Sequence, residues 1–156
     1  MLLLRRLESL LRPLLRARAR WTRGMTLGVR GLVRDPAGRV LLVKHTYTAG
    51  WHLPGGGVER GETCARALAR ELVEEAGVEL TGRPRLRSIH SADATFRGDH
   101  ILLFEAPEWR AVPATSRGEI ETAQWFAPGA LPKGVTGATA RRIAETLDGA
   151  PPDPLW

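Results

Sequence analysis

The sequence has little of several features that would restrict its function. Its 156 residues include one cysteine (Cys64), one tyrosine (Tyr47) and two lysines. A single cysteine excludes an intrachain disulfide and a cysteine-cluster metal site, and it fits a reducing compartment. No apolar run approaches the roughly 20 residues that a membrane-spanning helix requires. Arg5 and Arg6 interrupt the opening leucines too early for an export signal, so we expect a cytoplasmic protein.

The positive charge is concentrated in one segment. The formal net charge is +6, and residues 1–24 alone contain seven arginines and one acid. Residues 25–156 are therefore balanced, which argues against a nucleic-acid-binding domain face. Leucines 3, 7, 10, 11 and 14 recur at helical spacing, so residues 1–24 are predicted to be a basic amphipathic extension. Three roles stay open for it: a helix docked on the domain or in a homodimer, membrane-surface contact, and organelle targeting.

The rest of the chain mixes strands and helices without a regular βαβ alternation. Strands are predicted at 26–34, 39–45, 85–92, 100–106 and 123–126, and helices at 63–76 and 136–147. Residues 50–57 are predicted to be a short strand that runs into a glycine-rich loop. Asp35 to Gly38 is typical of a turn, which would join the first two strands as a hairpin. We therefore expect one α/β domain over residues 25–148, with helices packed on a mixed sheet. The proline-rich residues 149–156 are predicted to be a loosely held tail.

The stretch RELVEEAG, residues 70–77, carries the strongest chemical signal. On a helix, Glu71, Glu74 and Glu75 fall within an arc of about 100°. Like charges at this spacing repel by roughly 0.2–0.5 kcal/mol per pair. A solvated helix gains nothing from this arrangement, whereas a divalent cation gains hard oxygen ligands from it. The glycine loop at residues 55–57 can add backbone carbonyls to the same site.

The spacing around this helix resembles the Nudix box of the MutT-like hydrolases. The pattern G-x5-E-x7-R-E-U-x-E-E-x-G-U, with U aliphatic, is matched at every specified position over residues 56–78. The matching residues are Gly56, Glu62, Arg70, Glu71, Leu72, Glu74, Glu75, Gly77 and Val78. Seven fixed letters would coincide by chance about once in 10⁹ start positions. The flanks agree, with Trp51, Pro54 and Gly55 before the box and Trp125-Phe126 after it.

This resemblance implies a fold and a chemistry. The fold is an α/β/α sandwich around a mixed sheet, here with an extra N-terminal helix. The chemistry is hydrolysis of a nucleoside diphosphate linked to another group X, with Mg²⁺ or Mn²⁺. The implied metal ligands are Glu71, Glu74, Glu75, Glu119 and the backbone carbonyl of Gly55. The implied catalytic residues are Glu71, Glu75, Arg70 and Glu119.

The individual roles also come from the resemblance. Glu71 would be a ligand or the base that takes the proton from the attacking water. Arg70 would pair with Glu62 and so orient Glu71. Glu119 would be a further ligand or base from outside the box, with Glu121 as the alternative.

Four residues are candidates for contacting the substrate. Lys44 and His45 end a strand near the glycine loop, where phosphate or ribose could bind. Tyr47 and Phe96 lie in loops that could cover the base. Ordinary strand-end and loop roles stay open for all four. Many of the family's ADP-ribose hydrolases have a proline about 15 residues after the box, where this sequence has Asp93. That difference favours nucleoside triphosphates or small nucleotide diphosphates as substrates.

Three other functions stay open at this point. The substrate could be the 5′-triphosphate end of RNA, held by the arginine-rich segment. The domain could sense a nucleotide without hydrolysing it, although its intact set of box glutamates favours a hydrolase. The N-terminal segment could instead place the enzyme at a membrane surface, acting on a nucleotide-linked lipid or sugar precursor.

Overall fold

The computed structural model of the chain describes residues 24–116 and 118–156. The N-terminal helix predicted within residues 1–24 thus lies outside the described residues, except for Gly24. The elements are β1 (Thr26–Val33), β2 (Val40–His45), β3 (Trp51–His52), α1 (Cys64–Ala76), β4 (Val78–Leu80), β5 (Arg85–Ser91), β6 (Asp99–Ala106), β7 (Trp109–Ala111), β8 (Ile120–Phe126), a 3₁₀ turn (Pro128–Ala130) and α2 (Gly137–Asp148). Within these ranges no helix is long and apolar enough to cross a bilayer.

The strands form a mixed sheet, an antiparallel sheet and a two-stranded ribbon. In the mixed sheet β6 pairs in parallel with β1 and antiparallel with β5. In the second sheet β2 lies between β3 and β8, antiparallel to both. The short strands β4 and β7 form the ribbon. The predicted α/β fold with mixed strand pairing is confirmed.

Alternation along the strands divides the apolar side chains between two cores. Val29 of β1 belongs to a buried cluster with Leu68 and Leu72 of α1. Leu32 of the same strand belongs to a second cluster with Ile143 of α2. The strand layer is therefore covered by α1 on one face and by α2 on the other, which is the sandwich that the sequence predicts.

The predicted hairpin between the first two strands is wrong, although its turn is present. The Gly38 N–H donates to the Asp35 carbonyl at 2.9 Å, and the φ of Gly38 is 77°, which favours glycine. After this turn β1 and β2 enter different sheets, and an isolated bridge between Arg34 and Val40 connects them. The reason is that β6 pairs with one edge of β1 and the glycine loop bonds to the other.

The C-terminal segment is anchored, so the prediction of a loosely held tail is also wrong. The Ser91 N–H donates to the Pro154 carbonyl at 2.8 Å, and the Trp156 N–H donates to the Ser91 carbonyl at 2.9 Å. The Trp156 ring packs against the α2 core and lies 5.5 Å from the His90 ring. Proline richness excludes a helix or a central strand here, but it leaves enough donors and acceptors to pair with the edge of β5.

Candidate active site

Helix α1 presents the predicted carboxylates. Its first turn is capped by Thr63, whose hydroxyl accepts a backbone N–H at 3.3 Å, and Gly77 ends it with a φ of 62°. The side chains of Glu71 and Glu75 are 13% and 9% exposed, and that of Glu74 is 43% exposed. Two of the three carboxylates are therefore largely withdrawn from water.

The glycine loop lies against β1 and α1 at once. The Val29 N–H donates to the Gly56 carbonyl at 2.8 Å. The φ of Gly55 is 138°, and a Cβ at this position would collide with the Val29 carbonyl. A Cβ on Gly56 would lie 2.5 Å from a carboxylate oxygen of Glu71. One glycine thus lets the loop approach the strand, and the next lets the helix carboxylate approach the loop.

Arg70 is fixed by the loop and the helix together. Its Nε and Nη2 each donate to a carboxylate oxygen of Glu62 at 3.1 Å, and Nη2 also donates to the Gly57 carbonyl at 3.0 Å. Its Nη1 donates to Glu71 at 2.7 Å and to Glu74 at 3.3 Å. The hydrogen bond with Glu62 raises the pKa of Arg70 and lowers that of Glu62. The ion pair between Arg70 and Glu62 is thus present, and Arg70 also contacts Glu71.

Burial shifts the titration of the two shielded carboxylates. It raises the pKa of Glu75 to about 7, against the hydrogen bond of 2.8 Å from the Gly55 N–H and the positive charge of Arg30. It also raises the pKa of Glu71, although the hydrogen bond from Arg70 lowers it. A bound divalent cation would offset this cost of burying the ionised carboxylates.

The connection from β7 to β8 brings a further carboxylate to this place. The Val112 N–H donates to the Gly77 carbonyl and the Ser116 N–H to the Glu74 carbonyl, both at 2.8 Å. The connection is thereby tied to the end of α1. A cavity of about 330 Å³ results, lined by Glu71, Glu74, Glu75, Thr115, Ser116 and Glu119. Glu119 therefore joins the box glutamates, whereas Glu121 pairs with Lys44 at 2.9 Å.

The donor chemistry of this cavity fits Mg²⁺ or Mn²⁺, because it consists of carboxylate and carbonyl oxygens. Within the described part of the chain, no three His, Cys, Asp or Glu side chains already converge as a metal-ligand set. Arg70 binds Glu71 and Glu74, and the Gly55 N–H binds Glu75. A larger cavity of about 770 Å³ lies elsewhere, beside Arg34, Glu105 and Trp109, and it contains none of the box residues.

None of the four predicted substrate residues lines the carboxylate cavity. Lys44 is engaged by Glu121. His45 is buried, with its Nε2 3.7 Å from Glu75 Oε1, and burial lowers its pKa to about 4. Tyr47 is 71% exposed and its ring lies 5.1 Å from that of His45. Phe96 is 73% exposed, in the turn between β5 and β6.

Arg30 also belongs to this site, although no sequence motif indicated it. Its Nη1 donates to the carbonyl oxygens of Leu53, at 3.2 Å, and of Gly55. Burial lowers the pKa of Arg30, while the charges of Glu75 and Glu71 raise it. The available signal was a charged residue in the middle of an otherwise apolar strand, between the buried residues Val29 and Leu32.

Carboxylates on one helical face, a glycine loop against them and an α/β sandwich together define a hydrolase of phosphorus-containing anhydrides. A sequence profile of the NUDIX domain matches residues 24–147. The chain belongs to the Nudix family, as the box predicts, and this family generally requires a divalent metal.

Individual relatives agree with this assignment. A MutT-like protein of Streptomyces ambofaciens is 32% identical over 132 residues, covering 81% of this chain and 80% of that protein. A Bacillus subtilis (strain 168) protein, provisionally described as an 8-oxo-dGTP diphosphatase, is 28% identical over 125 residues, covering 80% and 82%. The crystal structure of the MutT NUDIX hydrolase from Burkholderia pseudomallei aligns with a TM-score of 0.65 at 29% identity, covering 76% of this chain and 95% of that one.

Proposed function

We propose that the protein is a metal-dependent pyrophosphohydrolase that cleaves the diphosphate linkage of a nucleotide, converting NDP-X and water into NMP and phosphorylated X. The observation that carries this proposal is the carboxylate cavity. Glu71 and Glu75 are largely shielded from water there, and Glu119 joins them from a separate loop. Such a cavity repels an anionic substrate by itself, and it attracts one when its carboxylates hold divalent cations.

The proposed cofactor is Mg²⁺ or Mn²⁺, bound by the carboxylates of Glu71, Glu74, Glu75 and Glu119 and by the Gly55 carbonyl. When bound, the cation polarises a phosphoryl oxygen and lowers the pKa of the attacking water. The chain's own contribution is positional. Arg70 holds Glu71 through the hydrogen bond of 2.7 Å, and the Gly55 N–H holds Glu75 through that of 2.8 Å.

In the proposed reaction a water oxygen attacks one phosphorus and the bond from that phosphorus to the bridging oxygen breaks. The proton of the water passes to a carboxylate, for which Glu71 and Glu119 are the candidates. Both line the cavity, and they approach it from different elements, α1 and the β7–β8 connection. Glu75 acts as a ligand in this scheme, since one of its oxygens already accepts the Gly55 N–H.

We propose nucleoside triphosphates or small nucleotide diphosphates as the substrates. The provisional 8-oxo-dGTP diphosphatase description of the Bacillus subtilis relative supports this choice. The Tyr47 ring lies 5.1 Å from the ring of His45, and the Nε2 of His45 lies 3.7 Å from Glu75 Oε1. Tyr47 is thus the better placed of the two aromatic candidates for stacking on a base.

A hydrolysis screen, with the products separated by ion-exchange chromatography, tests the proposal. Purified protein with Mg²⁺ or Mn²⁺ would be offered dNTPs and their oxidised forms, ADP-ribose, nucleotide sugars, dinucleoside polyphosphates and 5′-triphosphate RNA. We expect turnover of one class of small nucleotide. Glu75→Gln should lower it by at least about 10³-fold, because several kcal/mol of charge stabilisation are lost. Glu121→Gln is the matched control, since Glu121 pairs with Lys44 outside the cavity.

Two outcomes would contradict the proposal. If the protein binds nucleotides but turns over none of these compounds, it is a sensor and not a hydrolase. If it turns over only 5′-triphosphate RNA, the reaction type holds and the small-nucleotide assignment fails.

A further inference from the structure

Arg30 contacts one of the proposed metal ligands directly. Its Nη1 donates to the carbonyl oxygen of Gly55, and the same nitrogen donates to the Leu53 carbonyl at 3.2 Å. The Gly55 carbonyl is also the backbone ligand proposed above for the divalent cation. The guanidinium and the cation therefore require the same oxygen atom.

The two proposed carboxylate ligands with the least exposure also act on Arg30. The charges of Glu75 and Glu71 are the main influences that favour the protonated guanidinium against its burial. Glu75 Oε2 accepts the Gly55 N–H at 2.8 Å, so Gly55 links the carboxylate to the guanidinium. The negative charges that would attract a divalent cation, those of Glu75 and Glu71, thus also attract the Arg30 guanidinium.

The second arginine of the site, Arg70, is held much more firmly. Both oxygens of Glu62 accept its N–H groups at 3.1 Å, and two further carboxylates accept from its Nη1. For Arg30, by contrast, no carboxylate within the described ranges lies at ion-pair distance, and its acceptors are two neutral carbonyls. The hydrogen bonds of Arg70 to carboxylates join two ionised groups, whereas those of Arg30 join one ionised group to neutral acceptors. Of the two arginines, Arg30 is therefore the one that a bound cation can displace from its acceptor.

We propose that Arg30 competes with the divalent cation for this site and thereby sets its metal affinity. To bind, the cation takes the Gly55 carbonyl from the guanidinium, whose positive charge also opposes the cation. Arg30 is thus a positioning residue outside the box: it holds the glycine loop, and the Gly55 N–H of that loop binds Glu75. This inference rests on the proposed metal-dependent function and adds to it a residue that limits metal binding.

Mn²⁺ binding to metal-stripped protein without substrate tests the proposal, with free Mn²⁺ measured by electron paramagnetic resonance. Arg30→Met removes the charge and keeps the length of the side chain. We expect its Kd for Mn²⁺ to be at least about tenfold lower than that of the wild type, since a unit charge beside a divalent cation matters by more than this factor even at an effective dielectric of about 20. Arg30→Lys, which keeps the charge, should stay within about threefold of the wild type.

Arg34→Met is the matched control, because Arg34 directly follows the same strand and pairs with Glu105 away from the cavity. Its Kd should be unchanged. Thermal denaturation gives a second readout. The Tm of metal-stripped Arg30→Met should be lower than that of the metal-stripped wild type, and added Mn²⁺ should raise the Tm of the variant by more. A residue that merely stiffened the glycine loop would give the opposite sign, because its loss would weaken Mn²⁺ binding.

Equal or weaker Mn²⁺ binding by folded Arg30→Met overturns the inference. In that case the proposed function still stands if the wild type binds Mn²⁺ and Glu75→Gln does not, and only the competing role of Arg30 is refuted. If the wild type binds no Mn²⁺, both fail. Should Arg30→Met not fold, the wild type can be titrated with Mg²⁺ while the arginine side-chain NMR signals are followed, with Arg30 assigned from the Arg30→Lys spectrum. A shift that saturates with Mg²⁺ binding supports the competition, and an unchanged Arg30 signal at saturation overturns it.

Discussion

Replacing Gly56 with alanine would test the geometry of the site at one atom. The added Cβ would lie 2.5 Å from Oε1 and 2.9 Å from Oε2 of Glu71. The backbone itself tolerates alanine, because Gly56 does not have a positive φ. Glu71 must therefore move, and it then leaves Arg70 Nη1, to which it is bonded at 2.7 Å.

The expected loss is large in activity and modest in stability. A hydrogen bond between charged groups is worth about 1.5–3 kcal/mol, and partial exposure of Arg70 reduces this to about 1–2 kcal/mol. For a domain of this size that lowers Tm by about 2–8 °C. Displacing a catalytic group by about 1 Å costs on the order of 10²-fold in rate. We therefore expect kcat to fall about 10²-fold in a protein that remains folded.

The two neighbouring glycines provide the controls. A Cβ on Gly57 meets nothing within 4 Å, so Gly57→Ala should keep kcat within about twofold of the wild type. Gly55→Ala collides with the backbone of Val29 at a φ of 138°, so it should lose both stability and activity. Steady-state kinetics at saturating Mg²⁺, with melting followed by circular dichroism, separates the three. A Gly56→Ala enzyme with wild-type kcat would show that catalysis does not require Glu71 where this structure places it.

Three further predictions concern residues around the site and at the C-terminus. Glu62→Gln removes the charge that pairs with Arg70 and should lower kcat about tenfold. KM should change little, since Glu62 does not line the cavity, and an unchanged kcat would contradict its positioning role. Burial lowers the pKa of His90, so below about pH 6.5 the unfolded chain binds one proton more than the folded chain. The free energy of unfolding therefore decreases as the pH is lowered, by up to about 1.4 kcal/mol per pH unit. Urea titrations between about pH 5 and 7.5 should show this slope flattened in His90→Gln, and equal slopes would refute it. Trp156→Ala removes a half-buried ring from the α2 core and should cost about 2 kcal/mol in thermal denaturation, with kcat at 25 °C unchanged; an unaltered Tm would mean that the tail is not anchored in solution.

The features predicted correctly from sequence are the ones that local residues determine. Helix α1 has its cap at Thr63 and its end at Gly77 because both signals act within one turn of the helix. The ion pair between Arg70 and Glu62, which the resemblance implied, is present. Glu119 lines the cavity, as predicted in preference to Glu121, although the spacing before Trp125 fitted either residue. The roles assigned to the site residues remain predictions.

The features missed or predicted wrongly depend on distant partners. The pairing of β1 with β6 joins residues more than 70 positions apart, which the turn after β1 does not indicate. The strands β4 and β7 have three residues each, too few for a periodic pattern. Composition suggested a loose tail, but its anchoring comes from tertiary contacts of Trp156. Arg30 was missed because its acceptors belong to a loop that is brought against β1 by folding.

The position of Arg30 on β1 has a consequence for how the sheet forms. Val29 points into the core under α1, and Arg30 points to the other side, toward the glycine loop. A slip of β1 by one residue would exchange these two faces and bury a guanidinium against Leu68 and Leu72. Burying an unpaired guanidinium in this way costs several kcal/mol. Arg30 therefore disfavours a β1 register shifted by one residue. The register that keeps Arg30 out of the core is also the one that brings the glycine loop to the carboxylate cavity.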